Sequence, residues 1–577
     1  LTMKARAKQR TFFNMQVEPN VCVLDPIRFT ENEIDFLMTR AGDKQAESAF
    51  WNQFERADTY GSLIHPDPEL TARLKRHLAQ LHDRGDILLA DVLDWAERVV
   101  LQAEYLSPQY SVAIANPPYM GGGNMGPLLS EFAKSDFAAG KSDLFAMFME
   151  RNLSLAKPHG YVSMITMQSW MFLSSFQSLR AKLLAGNGVE VLAHLGSGAF
   201  DSIGGDVVST VAFVLSRDST SGRSGTYLNL TEGRSEAAKA EECLRVIKEP
   251  ADRFRLNARR LLEVPGAPIA YWLSERELRA LTDAEKVSKH ATPRKGLVTL
   301  NDARFTRRWY EVSASRTCFP SAFQTRGLAR TWYPLNKGGG YRRWYGLNET
   351  LINWKDNGRD LKDFIVERYG GGSYTKEIRS EDYYFSESAT WGAVSSGPPS
   401  FRYTPPGYIF SSGGSSLFSN AALLSVLGTL NSSPVSRLLQ MLTPTMNFVS
   451  GDVGRMPCIV SSRLEDLARA AVEVAKSDWN DRETSWDFGT NQLLAAGAGS
   501  RLLDAFEEVR RRDVDRTELL GDLQFEIDML VSLKLGLVDA GGGIAPVDPR
   551  TLTIDANEVF EFPNLSEPSR KAAKSRR

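Results

Sequence analysis

The sequence predicts an α/β fold: a partial Rossmann-like sheet, followed by a β-rich domain and a helical C-terminal region. Three observations predict it. Up to about residue 216, apolar strand-like runs alternate with stretches of helical spacing, the pattern of a mainly parallel sheet with crossover helices. Residues 295–460 are dense in Trp, Tyr, Gly and Ser, with short apolar runs between turns, which reads as β-rich. Residues 462–535 return to helical periodicity. The expected domains are 1–220 for the α/β part, 221–295 for a helical connector, 296–460 for the β-rich part and 461–577 for the helical region with a basic tail.

In chain order, Tyr60 to Ile64 gives a turn-and-strand signal, and Leu70, Leu74, Leu78 and Leu81 fall at helical spacing. The run Ile87-Leu88-Leu89-Ala90 reads as a short strand with Asp91 at its C-terminal end. Tyr110 to Ala115 reads as a buried parallel strand. A helix is expected over 143–155, strands over 160–166, 189–195 and 207–215, and a helix over 176–184. The polar stretch 217–225 reads as a loop.

Composition narrows the class. Hydrophobic residues make up 42% and charged residues 24%, with a formal net charge of -1, which is ordinary for a globular chain and leaves room for only a local basic face. The four cysteines are widely spaced and the six histidines form no ligand pattern with them, so neither a disulfide framework nor a metal site is expected. No stretch approaches the roughly 20 apolar residues of a membrane span.

The chemistry concentrates at Asn116-Pro117-Pro118-Tyr119, directly after the strand 110–115. In open α/β sheets, ligands sit beyond the C-terminal strand ends. The Asn116 carbonyl and a neighbouring backbone carbonyl can accept both hydrogens of one exocyclic amine. The prolines fix φ and remove two N–H donors, so the backbone carbonyl is held rigidly. The amine lone pair is then freed from its ring, and Tyr119 offers a stacking face for a base drawn out of a duplex. No strong base is required, because the amine attacks first and loses its proton afterwards.

The row YSVAIANPPYMGGGNM is similar to the adenine-specific methyltransferase of BREX phage-defence systems (the PglX family), and more broadly to fused adenine methyltransferase–specificity proteins. The rows KSDLFAMFMERNLSLAKPHGYVSMIT, GAFDSIGGDVVSTVAFVL and WNDRETSWDF extend the likeness along nearly the whole chain. The resemblance implies a class I methyltransferase sheet, S-adenosylmethionine as methyl donor, adenine-N6 in DNA as target, and host marking against phage. By it, Asn116, Pro117, Pro118 and Tyr119 hold and stack the adenine, Asp91 lies near the donor's adenine ring, and Phe200 clamps the flipped base. Asp143 and Phe145 border the pocket, with Asp143 also reading as a plain helix N-cap. Other BREX proteins are implied partners, and the cytoplasm the location, with no membrane contact.

Methyl donors bind at a Gly-rich turn after a first strand, with an acidic residue ending the second. In the PglX family both precede the Asn-Pro-Pro-Tyr motif, and the row LTMKARAK resembles the helix that follows them, so the sequence reads as starting after the donor-binding segment. The internal alternative, Val191 to Gly198, is a strand followed by Gly-x-Gly, but the strand after it has no acidic tip and it reads as a loop. The triple glycines at 338–340, 370–372 and 541–543 follow no suitable strand. A chain lacking those first strands exposes apolar surface at roughly 25 cal/mol per Å² and is expected to bind donor poorly.

Residues 300–460 resemble the target-recognition domain of such enzymes. Arg326, Arg330, Lys337, Arg342 and Arg343, interleaved with Trp332, Tyr341 and Trp344, suit phosphate contact and stacking. The leading expectation is thus a site-specific DNA adenine-N6 methyltransferase. The alternatives are a DNA-binding fragment without a donor site, and a methyltransferase acting on RNA or protein amides.

Overall fold

The computed structural model describes residues 20–552, apart from positions 41, 82–86, 108–109, 202–207, 219–222, 250–252, 321–329, 396, 444–446, 497–500, 540–541 and 549–550. The chain divides into two compact units, Leu1–Tyr271 and Trp272–Arg577. That single break differs from the expected boundaries at 220, 295 and 460.

The first unit opens with helices. Thr30 starts α1 (Glu31–Leu37) with a capping box to Glu33. Asp43 caps α2 (Lys44–Trp51), and Asp67 caps α3 (Pro68–Leu78), with Pro68 at its first position. The strand expected at 87–90 is instead the first turn of α4 (Ile87–Leu106). Val92, Ala96, Val99, Ala103 and Leu106 all turn inward onto Phe29, Trp51, Phe54 and Leu74. Twenty residues of 3.6 periodicity outweigh four apolar residues in a row. Likewise, 57–63 forms one helical turn and a 3-10 turn rather than a strand.

A six-stranded sheet follows, in the order β1-β2-β4-β3-β5-β6. Its members are β1 (Tyr110–Ala115), β2 (Ala156–Met167), β3 (Gly188–Gly196), β4 (Thr210–Ser216), β5 (Gly225–Asn229) and β6 (Phe254–Leu256). β1 is parallel to β2, and β3 to β5. β4 is antiparallel to both β2 and β3, so β1, β2, β3 and β5 share one direction and the sheet is mixed. The helices α5 (Pro127–Asp136), α6 (Leu144–Leu155) and α7 (Gln177–Gly186) lie between β1 and β3 in sequence. β5, β6 and α8 (Glu236–Lys248) extend this unit past residue 220, so the expected connector contributes to the sheet itself.

β1 matches its expected limits but not its expected burial. It is the outermost strand, with Ile114 78% and Val112 51% exposed. Among the described residues no strand pairs with its outer edge. The buried guanidinium of Arg151 on α6 joins the helical module to this layer, donating to Leu106 O at 2.7 Å and Ser62 O at 2.9 Å.

The second unit holds two four-stranded sheets, β13-β9-β10-β8 and β12-β11-β14-β7. Their strands are β7 (Thr292–Arg294), β8 (Thr306–Arg308), β9 (Trp332–Asn336), β10 (Thr350–Asn353), β11 (Ser388–Trp391), β12 (Phe401–Thr404), β13 (Ile409–Phe410) and β14 (Ser416–Phe418). The long helices α9 (Ser462–Asn480) and α10 (Leu502–Lys534) follow. Residues 462–535 are helical as expected, but within 296–460 the short strands are interleaved with the helices Lys355–Arg368, Leu423–Asn431 and Ser433–Leu442, so that stretch is mixed rather than β-rich. The glycines at 338–340 do follow a strand, β9. At Gly338 (φ +76°) an added Cβ would meet Gly413 O at 1.9 Å, so the backbone there packs closely on the neighbouring loop.

Candidate functional site

Strand direction brings the C-terminal ends of β1, β2, β3 and β5 to one rim of the first sheet. The β1 register, Ala115 opposite Met164, sets Asn116 on that rim beside the last turnless residues of β2. Asn116 is exposed, Pro117 buried and Tyr119 half-buried. The Tyr119 hydroxyl stands 3.5 Å from Ile165 O of β2, a contact too long to hold much. Its ring meets Phe145 edge-on at 6.2 Å, and Phe145 packs against Phe176 at 5.6 Å. Burial pushes the Tyr119 hydroxyl pKa up, so the ring is an uncharged stacking face.

The exit of the turn is pinned by Asp143. As N-cap of α6, its carboxylate accepts Phe145 N–H at 3.3 Å and, across 23 residues, Met120 N–H at 3.1 Å. Leu144 N donates to Met120 O at 3.0 Å, and Gly122 N to Ser142 O at 2.9 Å. Burial raises the Asp143 pKa, opposed by the N–H groups of Phe145, Met120 and Leu144. The expected N-cap role of Asp143 is thus met, and the same side chain reaches the exit of the turn. Nothing in the sequence signals its bond to Met120.

Phe200 lies half-buried in the loop between β3 and β4, on the same rim. The loop's neighbours 202–207 fall outside the described residues. Gln168, which sequence reasoning passed over, directly follows β2 there, and its Oε1 lies 2.7 Å from His194 Nε2.

Asp91 does not join this rim. It is exposed in the second turn of α4, and the donor role assigned to it depended on a strand end that is helix. The Gly196-Ser197-Gly198 turn does follow β3, with φ of +67° and +70° at its glycines. Yet an added Cβ at Gly198 would meet Arg234 O at 2.8 Å, and Lys239 Nζ bonds Leu195 O and Leu230 O. The chain itself fills that turn. That turn therefore offers no cradle for S-adenosylmethionine.

The basic-aromatic cluster needs correction as well. Arg342 is buried, bonded to Tyr345 O at 2.7 Å, paired with Asp478 at 2.6 Å and 5.1 Å from the Trp479 ring centroid. Arg343 is buried against the Tyr341 ring, and Trp344 is fully buried. Trp344 N donates to Phe401 O at 2.9 Å and its carbonyl accepts Tyr403 N–H at 2.7 Å, tying it to β12. These three residues are packing elements, because a Trp- and Tyr-rich row beside Gly builds core as readily as a binding face. Lys337 pairs with Asp302. Arg330 is half-buried, its N–H donating to Tyr333 OH at 3.2 Å, and Arg326 lies outside the described residues. Basic-aromatic pairs at the surface of this unit are found instead at Lys376, 3.9 Å over the Tyr369 ring, and Arg294, 5.0 Å over Tyr383.

The Asn-Pro-Pro-Tyr turn thus stands on the rim of an α/β sheet, beside the Phe145 and Phe176 rings. Residues 50–200 match the family described as Eco57I restriction-modification methylase. The chain is 34% identical over 564 residues to the adenine-specific methyltransferase PglX of Lacticaseibacillus casei (strain Zhang), covering 93% of this chain and 46% of that protein. It is 36% identical over 451 residues to the adenine-specific methyltransferase BrxX of Escherichia coli O9:H4 (strain HS), covering 76% of this chain and 36% of that protein. The chain is thus a homologue of PglX and BrxX along most of its length, and spans less than half of theirs. Among solved structures it is similar to the Type IIL restriction-modification enzyme MmeI in complex with DNA, at 13% identity and a TM-score of 0.43, covering 85% of this chain and 63% of that one. No described helix is long and apolar enough to cross a membrane.

Proposed function

We propose that this chain carries the target-base half of a site-specific DNA adenine-N6 methyltransferase acting in the cytoplasm in BREX-type phage defence. One observation carries the reading: an exposed Asn116 on a strand end, with Tyr119 beside it on a Phe145–Phe176 floor and the turn's exit fixed by Asp143. Asn116 Oδ1 and a backbone carbonyl of the turn accept the two N6 hydrogens of an extruded adenine. This bends the amine toward tetrahedral geometry and exposes its lone pair. Tyr119 stacks on the ring. Preorganised polar groups of this kind act because they need no rearrangement as charge develops.

S-adenosylmethionine is the expected methyl donor, held by strands added at the open edge of β1 rather than by the residues described. Calorimetry should detect no S-adenosylmethionine binding to this chain, and micromolar affinity would overturn the account. The assignment itself is tested by fusing the chain to the donor-binding segment of its PglX relative and measuring N6-methyladenine in treated DNA by mass spectrometry. Asn116→Ala should reduce product by on the order of 100-fold or more with the fold intact. Undiminished product would remove Asn116 from the site.

A further inference from the structure

The rim that carries Asn116 also carries a side chain locked in place by a buried relay. His194 on β3 is buried. Its Nδ1 lies 3.2 Å from the Tyr271 hydroxyl and its Nε2 lies 2.7 Å from Gln168 Oε1. With the carbonyl half of Gln168 turned to Nε2, that nitrogen carries the imidazole hydrogen, and Nδ1 accepts the Tyr271 proton. Tyr271 is itself stacked on Tyr227, with centroids 5.2 Å apart. Gln168 N donates to Ser209 O at 2.9 Å, which fixes its backbone at the start of β4.

Gln168 is therefore held from both ends while its amide N–H groups have no partner among the described residues. The side chain is half-buried at the end of β2, so it keeps contact with solvent. A buried network whose members are all hydrogen-bonded holds each of them in one orientation. Gln168 follows β2, the parallel neighbour of β1, and Asn116 follows β1.

We infer that Gln168 is a substrate-positioning donor, oriented by His194 and Tyr271, which binds a hydrogen-bond acceptor on the extruded nucleotide. The inference rests on the adenine reading of Asn116. The acceptor is a purine ring nitrogen or a phosphate oxygen, both of which an amide N–H recognises.

The test uses the full chain and a labelled single-stranded oligonucleotide of deoxyadenosines, whose unpaired bases need no extrusion. Fluorescence anisotropy should show preference over a deoxythymidine oligonucleotide. Gln168→Ala should weaken binding about three- to tenfold, and Gln168→Glu more, since a carboxylate cannot donate. His194→Phe leaves Gln168 present but loose and should weaken binding similarly, whereas His194→Asn, which retains a donor, should restore part of it. Melting curves run in parallel separate loss of fold from loss of contact. Deazaadenine oligonucleotides, each lacking one ring nitrogen, should abolish the Gln168→Ala penalty if a ring nitrogen is the acceptor. Methylphosphonate linkages should abolish it if a phosphate is. If Gln168→Ala binds like the parent chain while Asn116→Ala erases the adenine preference, the Gln168 assignment is overturned and the Asn116 reading stands. If neither variant alters the preference, the Asn116 reading falls, and this inference with it.

Discussion

The Asp143 carboxylate accepts the Met120 N–H at 3.1 Å, so the cap of helix α6 is also the clasp of the Asn116–Tyr119 turn. Asp143→Ala should lower stability by about 1–2 kcal/mol through the lost cap and should also loosen the turn. Asp143→Asn, which keeps an acceptor, should cost less than half as much. Thermal melts of the variants check this; equal losses for Asn and Ala would show that the charge, not the acceptor, matters.

Tyr119 should act through its ring. Its hydroxyl contact with Ile165 O is long at 3.5 Å, so Tyr119→Phe should bind the deoxyadenosine oligonucleotide within about twofold of the parent. Tyr119→Ala should lose about 1–3 kcal/mol of binding. Titrations of the two variants decide it, and a large loss in the Phe variant would assign the role to the hydroxyl.

Arg342 is expected to govern folding rather than DNA affinity. Removing one partner of its buried pair with Asp478 should cost about 3–5 kcal/mol, and Arg342→Lys should not rescue it, since lysine cannot reproduce the fork to Tyr345 O and Asp478. If instead the melting temperature held and the salt slope of DNA binding fell by about one, Arg342 would be a phosphate contact.

His194 should make the first unit acid-sensitive. Burial, reinforced by the nearby Lys239 charge, lowers its pKa from 6.5 to about 4. A depressed folded pKa means that the unfolded chain binds the proton first. The stability from neutral His194 is present in full above about pH 6.5 and drains away as pH falls toward 4, by up to about 3 kcal/mol. The difference in melting temperature between pH 7 and pH 5 should shrink in His194→Asn. An unchanged difference would place the titrating group elsewhere.

Where sequence and structure agree, the signal is a long or chemically constrained one. Tyr110–Ala115 and Leu144–Leu155 have nearly the limits expected, because an apolar run ending in Asn-Pro-Pro and a capped amphipathic stretch leave few alternatives. The errors arise where local pattern is ambiguous. Ile87–Ala90 satisfies a strand over four residues and a helix over twenty, and burial of Val92 through Leu106 chooses the helix. The antiparallel insertion of β4 between β2 and β3 depends on pairing that no single segment reveals. At the candidate site, the Asn116–Tyr119 turn is visible in the sequence because its four residues are contiguous. Gln168, His194 and Tyr271 are not, since 77 residues separate the ends of one of their bonds. The Arg342–Trp344 row failed because composition cannot tell which side of a sheet faces inward.

The exposed outer edge of β1 gives the molecule a seam. The residue after the last of that strand is Asn116, so any strand laid along it touches the same backbone that aims the amide. Assembly and chemistry would then share one mechanical element. A strand paired along that edge restrains Ala115, one peptide bond from the side chain that the proposed chemistry uses.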